Sequence, residues 1–183
     1  MQHFKTLAAG LILSIFMISC NGNDSFTISA TSVGPLTRDT QASEIKTLFA
    51  NDSIIDKNSN ENRQSDSGII SIYEKGGNKL LSLIPATKAD TATIKTIQVF
   101  DPRYKTDKGI TTKSTFKDLQ GAYKINKVES LLSTVIVFVD ELNAYFTIDK
   151  KELPGELQFG PGTKVEPAQI PDNAKIKYFM IGW

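Results

Sequence analysis

An apolar stretch, Leu7–Ile18, runs into Ser19-Cys20, and it decides which part of this chain has to make a fold. Lys5, with His3, precedes it, so a basic start, an apolar middle and a small residue follow one another as in a secretory leader. The apolar run is twelve residues long, short of the roughly 20 needed to span a hydrocarbon core. Met17-Ile18-Ser19-Cys20 reads as a bacterial lipobox, with Met17 where leucine is usual. On this reading residues 1–19 are a signal peptide that is removed, and Cys20 becomes a lipid-bearing first residue. The thiol then carries diacylglycerol and the new amine an acyl chain, and two or more chains anchor stably where one does not. The alternative is an ordinary cleaved signal with an incidental cysteine. Asn21 after the cysteine favours an outer-membrane address in the proteobacterial sorting scheme, and residues 20–25 read as a lipidated, flexible tether.

Removing the first 19 of 183 residues leaves 164, enough for one domain over 26–183. Lys5 is the only charge removed, so 21 Lys+Arg become 20 against 20 Asp+Glu. A balanced chain with no basic run does not suit nucleic acid, which asks for a basic face. His3 is the only histidine and Cys20 the only cysteine. The domain after the leader therefore lacks the residues for Cys/His zinc sites, Ser-His-Asp or Cys-His catalysis and internal disulfides. No dinucleotide fingerprint, phosphate loop or calcium loop is present, and no metal or cofactor is expected.

Along the chain, Phe26–Thr31 alternates as a strand and Gly34-Pro35 ends it. Residues 36–49 then predict a helix with Thr40 as N-cap, Glu44 in its first turn, and Ile45, Leu48 and Phe49 on one face. Residues 110–123 repeat this at an offset of 74, with Ser114 in place of Thr40 and Leu119 in place of Ile45. Two capped amphipathic helices also look alike without common origin. Asn58–Ser67 is polar and predicts a mobile loop. Gly76-Gly77-Asn78 joins one hairpin and Asp140–Asn143 another. Ile94–Phe100 is a strand with Ile97 and Val99 on one face, and the run Val135–Val139 predicts a strand buried on both faces. Proline and glycine interrupt residues 151–175, and 175–183 closes with a strand carrying Ile176, Tyr178 and Met180 on one face. The expected fold is α+β, a mainly antiparallel sheet with two helices, with strand–helix–hairpin units over about 26–85 and 94–149.

Residues 97–119, IQVFDPRYKTDKGITTKSTFKDL, resemble the core motif of a family of small bacterial lipoproteins of unknown function tied to the sigma-E envelope-stress response. That motif has a strand ending in Asp, a short loop, then glycine, an apolar residue, and a Thr-Phe-x-Asp-Leu ending. FTISATSVGPLTRDT, residues 26–40, is similar to the start of the same domain. The chain departs from the pattern at Lys113, where glycine is common, and the tail after 123 is not covered. The resemblance implies an envelope location and a related fold, and supplies no catalytic residue. More loosely, a duplicated helix-and-sheet lipoprotein is similar to envelope assembly factors and to inhibitors built from tandem repeats.

Asp101, Arg103 and Tyr104 put a carboxylate, a guanidinium and a phenol on one loop, suited to a polar ligand or to a turn with Arg packed on Tyr. Asp140-Glu141 and Asp149 with Glu152 are acid pairs of the types used in glycoside hydrolysis, although hairpin acids are commonly solvated. Tyr178 and Trp183 suit either a stacking surface or core packing. The expectation is a non-enzymatic binding or assembly module of the outer membrane. It is held by the lipid at Cys20 and engages an envelope protein or wall polymer. The alternatives are a carboxylate-dependent glycan-acting enzyme, or an inhibitor or structural subunit.

Overall fold

The computed structural model describes residues 25–56, 68–159 and 164–183. Residues 1–24, where the leader and the start of the tether are expected, and the polar stretch Asn58–Ser67 lie outside the described residues. The frame is an eight-stranded antiparallel sheet made of two four-strand meanders. The first comprises β4 (Ser53–Asp56), β5 (Ile70–Tyr73), β6 (Lys79–Pro85) and β7 (Ile94–Val99). The second comprises β9 (Lys127–Ser130), β10 (Thr134–Val139), β11 (Ala144–Asp149) and β12 (Ile176–Gly182). The meanders join through their last strands, β7 and β12, with Val99 opposite Phe179 and Ile97 opposite Ile181. The last strand in the chain is thus in the middle of the sheet. A smaller sheet is formed by β1 (Thr27–Ile28), β2 (Ser32–Val33), β3 (Leu36–Thr37) and β8 (Lys105–Thr106), with β1 and β8 parallel.

Alternation builds the core. On β10, Val135, Val137 and Val139 are buried while Ile136 and Phe138 are partly exposed. The run is therefore buried on one face, not on both as its composition suggests. It lies second from the edge, with β9 outside it. Phe146 of β11 packs on Phe179 of β12 at 4.5 Å between centroids, both fully buried. The hairpins fall where the sequence puts them: Gly76 and Gly77 adopt positive φ between β5 and β6, and Asn143 does so between β10 and β11.

Residues 36–49 do not form one helix. Leu36–Thr37 is β3, a 3-10 turn covers Ala42–Glu44, and α1 is the single turn Ile45–Leu48. Thr40 is taken by the preceding turn, where its hydroxyl accepts the Thr37 N–H at 2.9 Å, so Gln41 becomes the cap. Ile45 and Phe49 are buried, whereas Leu48 is 38% exposed. The second helix, α2, is Phe116–Ala122. Its cap is Thr115, not Ser114, whose hydroxyl accepts from Thr111 N–H in the same way as Thr40. A third, α3, is the short turn Gly155–Gln158 within the tail. Strand β1 is also shorter than the alternation over 26–31 suggests.

The repeated unit differs from strand–helix–hairpin. It is a short helix followed by a four-strand meander, about 42–99 and 116–182. Glu44 accepts the Gln41 N–H, and Asp118 accepts that of Thr115. Ala42 N–H donates to Ala92 O as Phe116 N–H donates to Ala174 O, and Ser43 to Asp90 as Lys117 to Asp172. These bonds occupy amides that a helix start leaves free. Gln41 bridges Thr93, and Thr115 bridges Lys175. The offset is 74 in the helices and 82 in the last strands, where Asp90, Ala92, Ile94 and Lys95 match Asp172, Ala174, Ile176 and Lys177. Lys95 and Lys177 are each the extra residue of a β-bulge. That bulge turns Ile176 into the core while Tyr178 stays 43% exposed, so these two do not share a face as strict alternation requires. The recurrence is one of geometry.

Candidate functional site

The loop after β7 is ordered by its own charges. Asp101 Oδ1 accepts from the Arg103 backbone N–H and from Nε at 2.8 and 3.0 Å, and Oδ2 accepts from Nη2 at 2.9 Å. Arg103 Nη1 reaches back to Glu74 Oε1, at the end of β5, at 2.8 Å. The guanidinium also lies 4.5 Å from the centre of the Phe26 ring, whose other partner is Tyr104, edge-on at 5.0 Å. Asp101, Arg103 and Tyr104 do come together, but the first two satisfy each other and act as a clasp. The hydrogen bonds from Arg103 hold the Asp101 and Glu74 carboxyls below their usual range.

Glu74, held by Arg103, and Tyr104 line a cleft of about 220 Å3. Buried Phe49 and Leu80 and the better exposed Pro35 and Leu48 give it an apolar lining. Its polar groups are Asn51, Asp52, Glu74 and Tyr104. Gly34, at φ +53, lets the N-terminal segment approach: a Cβ there would stand 2.5 Å from Ser25 O and 3.3 Å from the Tyr104 ring. Tyr104 is 1% exposed, and no residue among those described hydrogen-bonds its hydroxyl. Burial first, then the charges of Asp52 and Asp101, push its pKa up. The Asp52 carboxyl has no hydrogen-bond or ion-pair partner among the described residues either. Burial and the nearby Glu74 raise its pKa. An acceptor and a donor therefore share one cleft, each without a protein partner.

No family model matches the chain. No curated protein matches it. The structure is similar to that of the uncharacterized protein yfeY from Escherichia coli, at a TM-score of 0.54 and 19% identity, over 86% of this chain and 99% of that one. This likeness shows a shared fold.

Three of these four acids are spent on the scaffold. Glu141 accepts from Lys108 Nζ and from the Lys124 N–H, both at 3.1 Å. Asp149 caps the turn at Lys151 and pairs with Lys177 at 3.0 Å, while Glu152 accepts the Lys175 N–H. The β10–β11 register sets Thr134 opposite Asp149 and Val139 opposite Ala144. Asp140-Glu141 and Asp149 thus sit at opposite ends of the hairpin, about 17 Å apart at the strand rise, too far to act on one bond. Trp183 is partly buried against the core, and Tyr178 is not. Among the described residues, no three His, Cys, Asp or Glu are grouped to hold a metal, and no helix is long and apolar enough to cross a membrane.

Asp52 and Glu74 are the site residues the sequence reading did not pick. Asp52 follows α1 in an ordinary polar turn and Glu74 ends a strand, so nothing local marks either. The clasp gives a pH prediction. Asp101 has a depressed pKa in the fold, so its contribution is present above the ordinary aspartate range and is lost as pH falls through the folded value. Asp101→Asn should melt below wild type near neutral pH, and the gap should close in acid. Arg103 is 44% exposed, so solvent screening keeps the gap small. Thermal melts across pH check this, and a gap that widened in acid would contradict the clasp.

Proposed function

We propose that this chain is a lipid-anchored binding module of the bacterial cell envelope, without catalytic activity, and that the cleft at Asp52 and Tyr104 is its ligand site. One observation carries the reading: a carboxylate and a buried phenol line the same part-apolar cleft with no hydrogen-bond partner among the described residues. Ligand sites combine an apolar wall with a few polar groups left for the ligand. The leader ending in Cys20, and the resemblance of residues 26–40 and 97–119 to small envelope-stress lipoproteins, support the address. The partners that suit it are an envelope protein or a wall polymer, with the outer membrane as the site of anchoring.

A second reading, a carboxylate-dependent enzyme acting on glycans, has its own support. Asp52 and Glu74 line one cleft with pKa values shifted in opposite directions, the pattern of an acid and a base. The Arg103 hydrogen bond at 2.8 Å engages Glu74 and favours a structural carboxylate.

Three measurements test the proposal. Cys20→Ala should remove lipid labelling and shift the protein out of the membrane fraction, and an unchanged membrane fraction would reject the anchor. Crosslinking in cells should capture an envelope neighbour in wild type and less of it in Asp52→Asn. Hydrolysis of wall glycan by the purified protein, lost in Asp52→Asn, would overturn the binding reading in favour of the enzyme.

A further inference from the structure

The cleft's position and polar groups narrow its ligand. Ser25 lines it, and Ser25 is the fifth residue after Cys20. At full extension five residues span at most about 18 Å. If Cys20 carries lipid, the cleft is held close to the headgroups whatever path the tether takes.

The free acceptor is a carboxylate, and a second carboxylate, Glu74, lies on the same cleft. The preferred occupant beside Asp52 is therefore a hydrogen-bond donor with positive charge. The free donor is the Tyr104 hydroxyl, which needs an acceptor on the same ligand. Phe26, Leu48 and Pro35 offer apolar surface next to both. A cation with acceptor oxygens a few bonds away, and hydrocarbon beyond them, describes an amine-headed phospholipid.

We propose, building on the anchored-module reading, that this cleft holds the primary ammonium group of an ethanolamine phospholipid, with Asp52 as counter-ion and the Tyr104 hydroxyl donating to a headgroup oxygen. Anchoring would then seat the domain on the membrane in a fixed orientation.

The test uses the mature protein labelled with fluorotyrosine, placed in phosphatidylcholine nanodiscs with or without phosphatidylethanolamine. Fluorine NMR reads the Tyr104 signal, assigned with Tyr104→Phe. The signal should shift only when phosphatidylethanolamine is present, because the choline headgroup has no N–H to donate to Asp52. In Asp52→Asn the lipid fraction giving half the shift should rise about tenfold, the loss expected for removing a charged hydrogen-bond partner. Asp52→Asn removes a carboxylate whose pKa is raised in the fold, so it should melt at or above wild type near neutral pH, which separates lost binding from lost folding. Equal shifts with both lipids, or an unchanged response in Asp52→Asn, would overturn the proposal. A shift with free hexylammonium but not with phosphatidylethanolamine would leave the cleft as a ligand site and reject the lipid. Silence with both would reject the cleft itself.

Discussion

Phe179→Ala should lower stability by about 3–5 kcal/mol, the range for deleting a buried aromatic side chain. Phe179 is fully buried, its ring lies 4.5 Å from that of Phe146, and its strand pairs with β7 on one side and β11 on the other. The substitution therefore opens a cavity at the seam between the two meanders. It also removes an aromatic pair that contributes about 0.5–1.5 kcal/mol beyond its burial. A domain of this size has about 5–15 kcal/mol in total, so the variant should unfold at a much lower urea concentration. Tyr178→Ala, one residue away and 43% exposed, is the control and should change little. Equal midpoints for Phe179→Ala and wild type would mean that β12 does not hold the halves together.

Leu119→Ala and Ile45→Ala should each cost about 2–5 kcal/mol, because both are buried at the same place in the two units. Each carbonyl closes its helix by accepting an N–H four residues on, from Tyr123 and from Phe49. Leu48→Ala tests the difference between pattern and packing. By spacing it belongs to the same apolar stripe as Ile45, yet it is 38% exposed, and its truncation should cost well under 1 kcal/mol. Urea denaturation of the three variants measures this, and a large loss at Leu48 would show that α1 is seated differently.

The helix over residues 36–49 shows where local reasoning gave way. Thr37-Arg38-Asp39-Thr40 has helix-start chemistry, but Leu36–Thr37 pairs with β2, and the Thr40 hydroxyl goes to the turn that follows. Tertiary pairing overrode a weak local preference. The Asp-x-Ala-x-Ile-Lys match at offset 82 was present in the sequence, yet its meaning came only from the structure. There, the same positions receive the helix amides and carry the bulges. The cleft was legible in part. Tyr104 could be picked as a phenol on a charged loop, whereas Asp52 and Glu74 come from separate elements and meet only when the chain closes.

By itself the sequence determined the class and the local joints of this protein. β-branched runs with period two make strands, Gly76-Gly77 and Asn143 permit turns with positive φ, and neutral charge with neither histidine nor cysteine after Cys20 narrows the chemistry. The tertiary structure decided what depends on contacts across long separations. It set β12 between β7 and β11, left Leu48 outside the core, used Asp101 and Arg103 as a clasp, and left the Asp52 carboxylate and Tyr104 hydroxyl without a hydrogen-bond or ion-pair partner among the described residues. The physical reason is one of range. Turn dihedrals and side-chain alternation are set by neighbours within a few residues, whereas burial and hydrogen-bond satisfaction are set by whichever distant strand arrives beside a group when the sheet closes.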